Sequence, residues 1–121
     1  MDPTHDLVHT WNDLPQDAPM DKVLRRRIIA EQMMISQVRL AQGFVVPTHQ
    51  HENEQIAMVV SGRIRFRLGA EGSPGRREVT LEGGQVLHLP SNLPHAAEAL
   101  EDTLIYDIFS PVSEQTGIDR G

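Results

Sequence analysis

The amino-acid sequence predicts an all-β domain, a sandwich or a barrel, and three observations support this prediction. Segments with apolar alternation are short, of about four to eight residues. Glycine and proline separate them repeatedly, as at Gly43, Ser61-Gly62 and Gly83-Gly84. No segment carries the long 3.6-residue period of an amphipathic helix. Many short strands divided by such turns are typical of all-β sandwiches and barrels.

The elements follow from the pattern in chain order. Residues 1–22 contain prolines and no period, so we expect an N-terminal arm that Trp11 and Leu14 anchor on the body. The barrel should span 23–111, and 112–121 should form a polar tail. The predicted strands are 23–30, 34–40, 63–68, 77–81, 86–89 and 103–109. Another predicted strand contains His49 and His51 and continues through residues 56–60.

The clearest alternation lies in residues 63–68, where Ile64, Phe66 and Leu68 share one face. Arginines occupy the other face, and we expect them to be exposed or paired with acids of the next strand, such as Glu78 and Glu82. These arginines therefore predict a solvated sheet face and carry no function.

Composition excludes several classes of function. A chain of 121 residues is long enough for one domain, and its net charge of -6 argues against a partner bound through nucleic-acid phosphates. The absence of cysteine excludes disulfides and thiol catalysis. The first residues lack the basic and apolar regions of a secretory signal, and no apolar run is long enough to span a bilayer. We therefore expect a cytoplasmic protein without a membrane partner.

Residues 43–62, GFVVPTHQHENEQIAMVVSG, contain the strongest functional pattern. Side chains two residues apart in a strand lie on one face, so His49 and His51 can converge on one ion. Gln55 has the same parity, and a third histidine, His95, follows a second turn-rich stretch. We therefore expect these four side chains to bind a divalent metal ion.

The ligand set leaves the metal open and limits the chemistry. Imidazole binds several ions, so zinc, nickel, manganese and iron all remain candidates. Four neutral ligands leave the ion its full formal charge, which polarises a bound oxygen and lowers the pKa of bound water. This favours Lewis-acid or proton-transfer chemistry on a small-molecule substrate.

Two spacings resemble the motifs of the cupin family. Gly43-x5-His49-x-His51-x3-Gln55-x6-Gly62 is similar to the first motif, with Gln55 where most members carry glutamate. Gly84-x5-Pro90-x-Asn92-x2-His95 is similar to the second. The resemblance implies a double-stranded β-helix, a single jelly-roll barrel with the ion inside one mouth, and a homodimer.

Within cupins, the HxHxxxQ motif and the segment PSNLPHAAEALEDTLIYDIFSP are most similar to the KdgF-like pectin-degradation group, over residues 11–111. That group uses a divalent metal to convert unsaturated uronates into open-chain keto forms, which implies an isomerase- or lyase-like enzyme of carbohydrate metabolism. Its active-site aspartate and phenylalanine fall on Asp107 and Phe109. In the strand pattern Ile105, Asp107 and Phe109 share one face. We expect this face to point inward, where a buried acid needs a partner such as a metal ion or its water; on the outer face Asp107 would only be solvated.

One position departs from that group. Ser113 stands where the group has an arginine suited to bind a uronate carboxylate. Either another arginine replaces it, with Arg26 and Arg39 as candidates, or the substrate is not a uronate. Two further functions stay open: a dioxygenase of quercetinase type, against which Gln55 argues because no ligand can act as a base, and a non-catalytic cupin that binds a metal or small ligand.

Overall fold

The computed structural model describes residues 7–112, and this part of the chain forms two antiparallel β-sheets after a short 3-10 turn at Trp11–Asp13. The strands are β1 (Val23–Ile29), β2 (Met34–Leu40), β3 (Val45–His49), β4 (Glu54–Ser61), β5 (Arg63–Leu68), β6 (Arg77–Glu82), β7 (Val86–Leu89), β8 (His95–Ala99) and β9 (Thr103–Ser110). One sheet has the order β1-β2-β9-β4-β7 and the other β3-β8-β5-β6. The predicted all-β jelly-roll fold is therefore confirmed.

The core lies between the two sheets, because alternate residues of each strand point inward. Strand β5 buries Ile64, Phe66 and Leu68, as the alternation predicts. Its three arginines form ion pairs outside the barrel: Arg63 with Glu101 at 3.6 Å, Arg65 with Glu98 at 3.4 Å, and Arg67 with Glu78 at 2.9 Å. The interpretation of this row as a solvated, paired face is confirmed.

The predicted continuous strand through the histidines is wrong. Strand β3 ends at His49 in the four-stranded sheet, and β4 begins at Glu54 in the five-stranded sheet. The loop 50–53 carries His51 from one sheet to the other, and the pairing of β3 with β8 shifts register between Val46 and His49. The functional side chains therefore converge because a loop crosses the mouth of the barrel, and not because they share one strand face.

The turn after β4 also connects the two sheets, and it requires glycine. Gly62 has a φ of +91°, and a Cβ there would overlap the carbonyl oxygen of Asp102. Only glycine adopts this backbone conformation without steric cost.

Residues 11–17 pack on the outer face and along the β1 edge of the five-stranded sheet. The Trp11 ring lies 5.5 Å from the Tyr106 ring on β9, and the Leu14 carbonyl accepts a hydrogen bond from Arg26. Asp17 forms a β-bridge and a 2.7 Å ion pair with Arg25, and this guanidinium lowers the Asp17 pKa. The predicted anchoring by Trp11 and Leu14 is confirmed. Within residues 7–112, no helix has the length and apolarity that crossing a bilayer demands.

Candidate metal centre

Three histidines meet at one mouth of the barrel. His49 ends β3, His51 lies in the following loop, and His95 begins β8 directly opposite His49 in the sheet register. One ring nitrogen of each lies within 4.8 Å of the others. The ring centroids are 4.4 Å apart for His49 and His95, and 5.1 Å apart for His51 and His95. These are distances at which three imidazoles could hold one ion.

Backbone carbonyls set the tautomer of all three rings. The Nδ1 atoms of His49, His51 and His95 lie 3.0, 3.0 and 2.8 Å from the carbonyl oxygens of Pro47, Asn53 and Leu93. Because a carbonyl oxygen can only accept, each Nδ1 carries the proton and donates it. In the neutral ring, Nε2 is then left with a free lone pair, as in histidines that bind metals.

Burial favours the neutral form of two of these rings, those of His95 and His51. It lowers the pKa of His95 to about 4, and the neighbouring His49 and His51 act in the same direction. Burial also lowers the pKa of His51, with the Asn53 carbonyl and the nearby Gln55 side chain opposing this effect. At neutral pH His51 and His95 therefore present uncharged imidazoles whose lone pairs are available to a cation.

Gln55 places its amide between the histidines and an acid. It is buried on β4, and its Nε2 donates to Asp107 Oδ1 at 3.0 Å. Its Oε1 is buried without a hydrogen-bond partner, as are His49 Nε2 and His51 Nε2. These three atoms can only accept, so they cannot satisfy one another, and a buried unpaired acceptor is costly. A divalent cation would satisfy all of them, and the residues therefore fit such an ion.

Asp107 and Phe109 lie beside this group on β9. Ile105, Asp107 and Phe109 are 2, 9 and 3% exposed, which confirms the predicted inward face. Burial raises the pKa of Asp107 to about 6, and the hydrogen bond from Gln55 only partly offsets this. The Phe109 ring lies edge-on to His51 with centroids 5.9 Å apart. The site thus combines imidazole and amide groups that could bind a cation, a carboxyl group able to change protonation near neutral pH, and an apolar wall.

The interior space next to the site is narrow. His49, Gln55, His95, Asp107 and Phe109 share with core residues a cavity of about 40 Å³. A volume of this size holds roughly one to three water molecules. A ligand the size of a sugar would therefore meet the site from its open side, where His49 and His51 are half-buried. A larger cleft of about 590 Å³ at the other end of the barrel contains none of these residues.

Asn53 belongs to this region and was missed by the sequence analysis. It is 1% exposed, its carbonyl accepts from His51, and its side-chain Nδ2 donates to the Pro111 carbonyl. It thereby connects the loop that carries His51 to the segment after β9. The only sequence signal was its place between His51 and Gln55, because an asparagine in a turn is otherwise unremarkable.

Arg26 and Arg39, considered as replacements for the arginine that is absent at position 113, do not reach the site. Arg26 donates hydrogen bonds to the Leu14 carbonyl and the Gln37 side chain on the outer face of the five-stranded sheet. Arg39 is exposed and lies on the same face of β2 as Gln37. Asp107 points to the opposite face. Both candidates are therefore wrong, and Ser113 itself lies outside the described residues.

Comparison with solved structures finds similar folds. KdgF from Halomonas sp. is 29% identical with a TM-score of 0.74, covering 85% of this chain and 93% of that one. An RmlC-like cupin from Shewanella frigidimarina is 18% identical with a TM-score of 0.78, covering 88% and 91%. Oxalate decarboxylase from Bacillus subtilis, described with Mn(II) centres, is 20% identical with a TM-score of 0.76, covering 89% and 30%. The last two likenesses concern the fold alone. A comparison with curated protein sequences gave no match.

The sequence itself matches the Cupin domain family over residues 36–109, from β2 to the inward-facing Phe109 on β9. This range is more than half of the chain and includes His49, His51, Gln55 and His95. The chain therefore belongs to the cupin domain family.

Proposed function

We propose that this cupin is a metal-dependent enzyme that moves a proton on a small sugar acid or related carbonyl compound, as in the KdgF-like ketonisation of unsaturated uronates. The observation that carries the proposal is the meeting of three unpaired buried acceptors, on His49, His51 and Gln55, next to the protonatable Asp107. The 29% identity to KdgF over 85% of the chain supports this class of substrate.

The ligands proposed for the ion are His49, His51, Gln55 and His95, and the ion is zinc, nickel, manganese or iron. When bound, such an ion supplies Lewis-acid polarisation of a substrate oxygen. Conversion of a cyclic unsaturated uronate to its open keto form transfers protons between oxygen and carbon without net oxidation. Asp107 is placed to carry such a proton, because a carboxyl group with a pKa of about 6 exchanges protons readily near neutral pH.

Phe109 is proposed to complete the site as an apolar wall. Its ring is 3% exposed and packs edge-on against His51. This contact fixes the orientation of the imidazole and keeps water away from that side of the site. A substrate that enters from the open side would therefore contact the histidines, with its reacting atoms towards Asp107 and with Phe109 behind the imidazoles.

Metal-dependent turnover tests the proposal. We expect purified protein to contain about one divalent ion per chain by elemental analysis, and to consume unsaturated galacturonate or guluronate residues, measured as loss of their ultraviolet absorbance. Chelation should remove the activity, and one of the four metals should restore it. If the reloaded protein takes up oxygen with a flavonol or diketone and leaves the uronates unchanged, a dioxygenase function replaces this proposal.

We also propose that the chain forms a homodimer through the outer face of its five-stranded sheet. Ile56, Met58 and Val60 on β4 are 38, 38 and 50% exposed, and Val86 beside them on β7 is 56% exposed. Trp11 covers Tyr106 on the β9 part of this face, while the four apolar side chains of the strip are exposed. Such a strip is typical of an interface, and two copies could pack it against itself about a two-fold axis.

Replacing Met58 with glutamate should separate this dimer. The wild-type protein should have the mass of two chains in light scattering, and Met58→Glu the mass of one, because the charge would be buried without a partner. Thr80→Glu, which adds the same charge to the exposed face of the other sheet, should leave the dimer intact. A monomeric wild-type protein would refute the dimer without affecting the metal site.

A further inference from the structure

We propose that the buried carboxylate of Asp107 requires a hydrogen-bond donor at position 55, and that it thereby turns the carbonyl oxygen of Gln55 towards the three histidines. Asp107 would then be a positioning residue for the metal site, in addition to any role in proton transfer. The inference rests on the metal site proposed above, and it explains why this chain carries glutamine where the cupin pattern usually has glutamate.

The first step is the environment of Asp107. On the inner face of the five-stranded sheet it lies between Ser36 on β2 and Ala57 on β4, and Gln55 is its diagonal neighbour. Among the described residues, the Gln55 amide is the one group that donates a hydrogen bond to its side chain. A carboxylate that is 9% exposed needs such a donor. A second carboxylate at position 55 would instead place two acceptors 3.0 Å apart, and they could pair only by taking up a proton, which costs free energy at pH 8.

The second step is the orientation of the amide. An amide has a donor end and an acceptor end, and each neighbour selects one of them. His51 Nε2 carries a free lone pair, so without Asp107 the Gln55 NH2 group would turn to donate to that nitrogen and occupy the ion's position. Asp107 also accepts, and as a charged acceptor it attracts the NH2 group more strongly than a neutral imidazole does. The Gln55 oxygen is therefore left facing the histidines, where it has no partner.

The two residues thus form a matched pair of one donor and one acceptor. The reversed pair, obtained by combining Gln55→Glu with Asp107→Asn, would also match, because the introduced asparagine NH2 group could donate to the introduced glutamate. Gln55→Glu alone would be mismatched. This predicts that the effects of the two substitutions are strongly non-additive.

A double-mutant cycle tests the pairing. Unfolding by urea is measured with a chelator present at pH 8 for the wild type, Gln55→Glu, Asp107→Asn and the double variant. We expect Gln55→Glu to lower the folding equilibrium constant about 10- to 100-fold in the wild-type background, and much less when Asp107 has already been replaced by asparagine. Gln37→Glu is the matched control, because Gln37 is also 6% exposed but bonds Tyr106 and Arg26 on the outer face. Its effect should be the same in both backgrounds.

Metal binding tests the orientation. Asp107→Leu removes the acceptor, and we expect its affinity for Co(II), measured by the visible spectrum of the bound ion, to fall about 10- to 100-fold. Asp107→Asn can still accept from Gln55 and should lose less. If Gln55→Glu lowers the folding equilibrium constant equally in both backgrounds, the pairing is wrong. If Asp107→Leu binds Co(II) as tightly as the wild type does, the proposed orientation of the amide is wrong. If Asp107→Leu does not fold, the cycle still decides the pairing. Neither readout uses turnover, so a protein that passes both tests and leaves uronates unchanged refutes only the proposed function.

Discussion

His51→Ala is expected to abolish tight metal binding. The substitution removes one of the convergent Nε2 lone pairs, and His51 lies in a loop, so its loss should leave the core intact. The affinity for Zn(II) should fall by more than the roughly 10- to 100-fold that is typical for groups beyond the ligands themselves. At a free metal concentration of about 100 times Kd, the wild type should gain about 2.7 kcal/mol in free energy of unfolding, and the variant should lose that gain. Calorimetric titration and thermal unfolding at increasing Zn(II) measure these two effects.

His88→Ala is the matched control for this experiment. His88 is 55% exposed and pairs with Glu54 at 2.6 Å on the outer face of the five-stranded sheet. Its removal should leave both the affinity and the metal-dependent stabilisation unchanged. If His51→Ala binds Zn(II) as tightly as the wild type does, His51 is not a ligand and the proposed site is wrong.

Asp107→Asn is expected to lower turnover of the uronate substrate about 10²- to 10⁴-fold, the usual contribution of a general acid or base. Asparagine has the same shape and keeps an acceptor oxygen for the Gln55 amide, but it cannot exchange a proton. The loss should therefore appear in kcat, with the metal content retained. Steady-state kinetics with elemental analysis of the same sample measure both quantities.

The same substitution should stabilise the metal-free protein at neutral pH. The Asp107 pKa rises from 3.8 to about 6 on folding, so the stability contributed by the protonated acid is complete below pH 3.8 and lost as the pH rises through 6. Asparagine stays neutral at every pH. The free energy of unfolding of Asp107→Asn should therefore match that of the wild type near pH 3.5 and exceed it by about 3 kcal/mol above pH 7, at about 1.4 kcal/mol per pKa unit.

Asp13→Asn serves as the control, because Asp13 is an exposed acid in the 3-10 turn. It should leave turnover of the uronate unchanged. Unchanged turnover of the uronate in Asp107→Asn would exclude Asp107 as the proton carrier. If the difference in free energy of unfolding between Asp107→Asn and the wild type is the same at pH 3.5 and pH 7, the Asp107 carboxyl group is not buried in solution.

The strands were largely predictable from sequence, because most residues of an inward face are apolar. The alternation in β5 and β9 located these strands and gave the correct inward residues, including Asp107. The histidine region was different. Parity in one strand seemed to join His49, His51 and Gln55, but the structure breaks that strand at the loop 50–53 and places its halves in different sheets. The residues converge for another reason, which is that the loop crosses the barrel mouth.

Sequence alone could not decide which face an arginine occupies relative to the site. Arg26 and Arg39 were plausible partners for a uronate carboxylate until the register of β1 and β2 placed both outside the barrel. The importance of Asn53 was likewise invisible, because its contacts with His51 and Pro111 join residues from the loop and from the far end of the chain.

The amino-acid sequence by itself determined the all-β class, the inward faces of the strands and the identity of the residues able to bind a cation, because apolar period, turn residues and imidazole chemistry are local properties. The tertiary structure decided how these residues work together. Carbonyl groups fix the three imidazole tautomers, and Asp107 holds the Gln55 amide. Both depend on hydrogen bonds whose partners are selected only when loops and strands from both sheets are packed around the mouth.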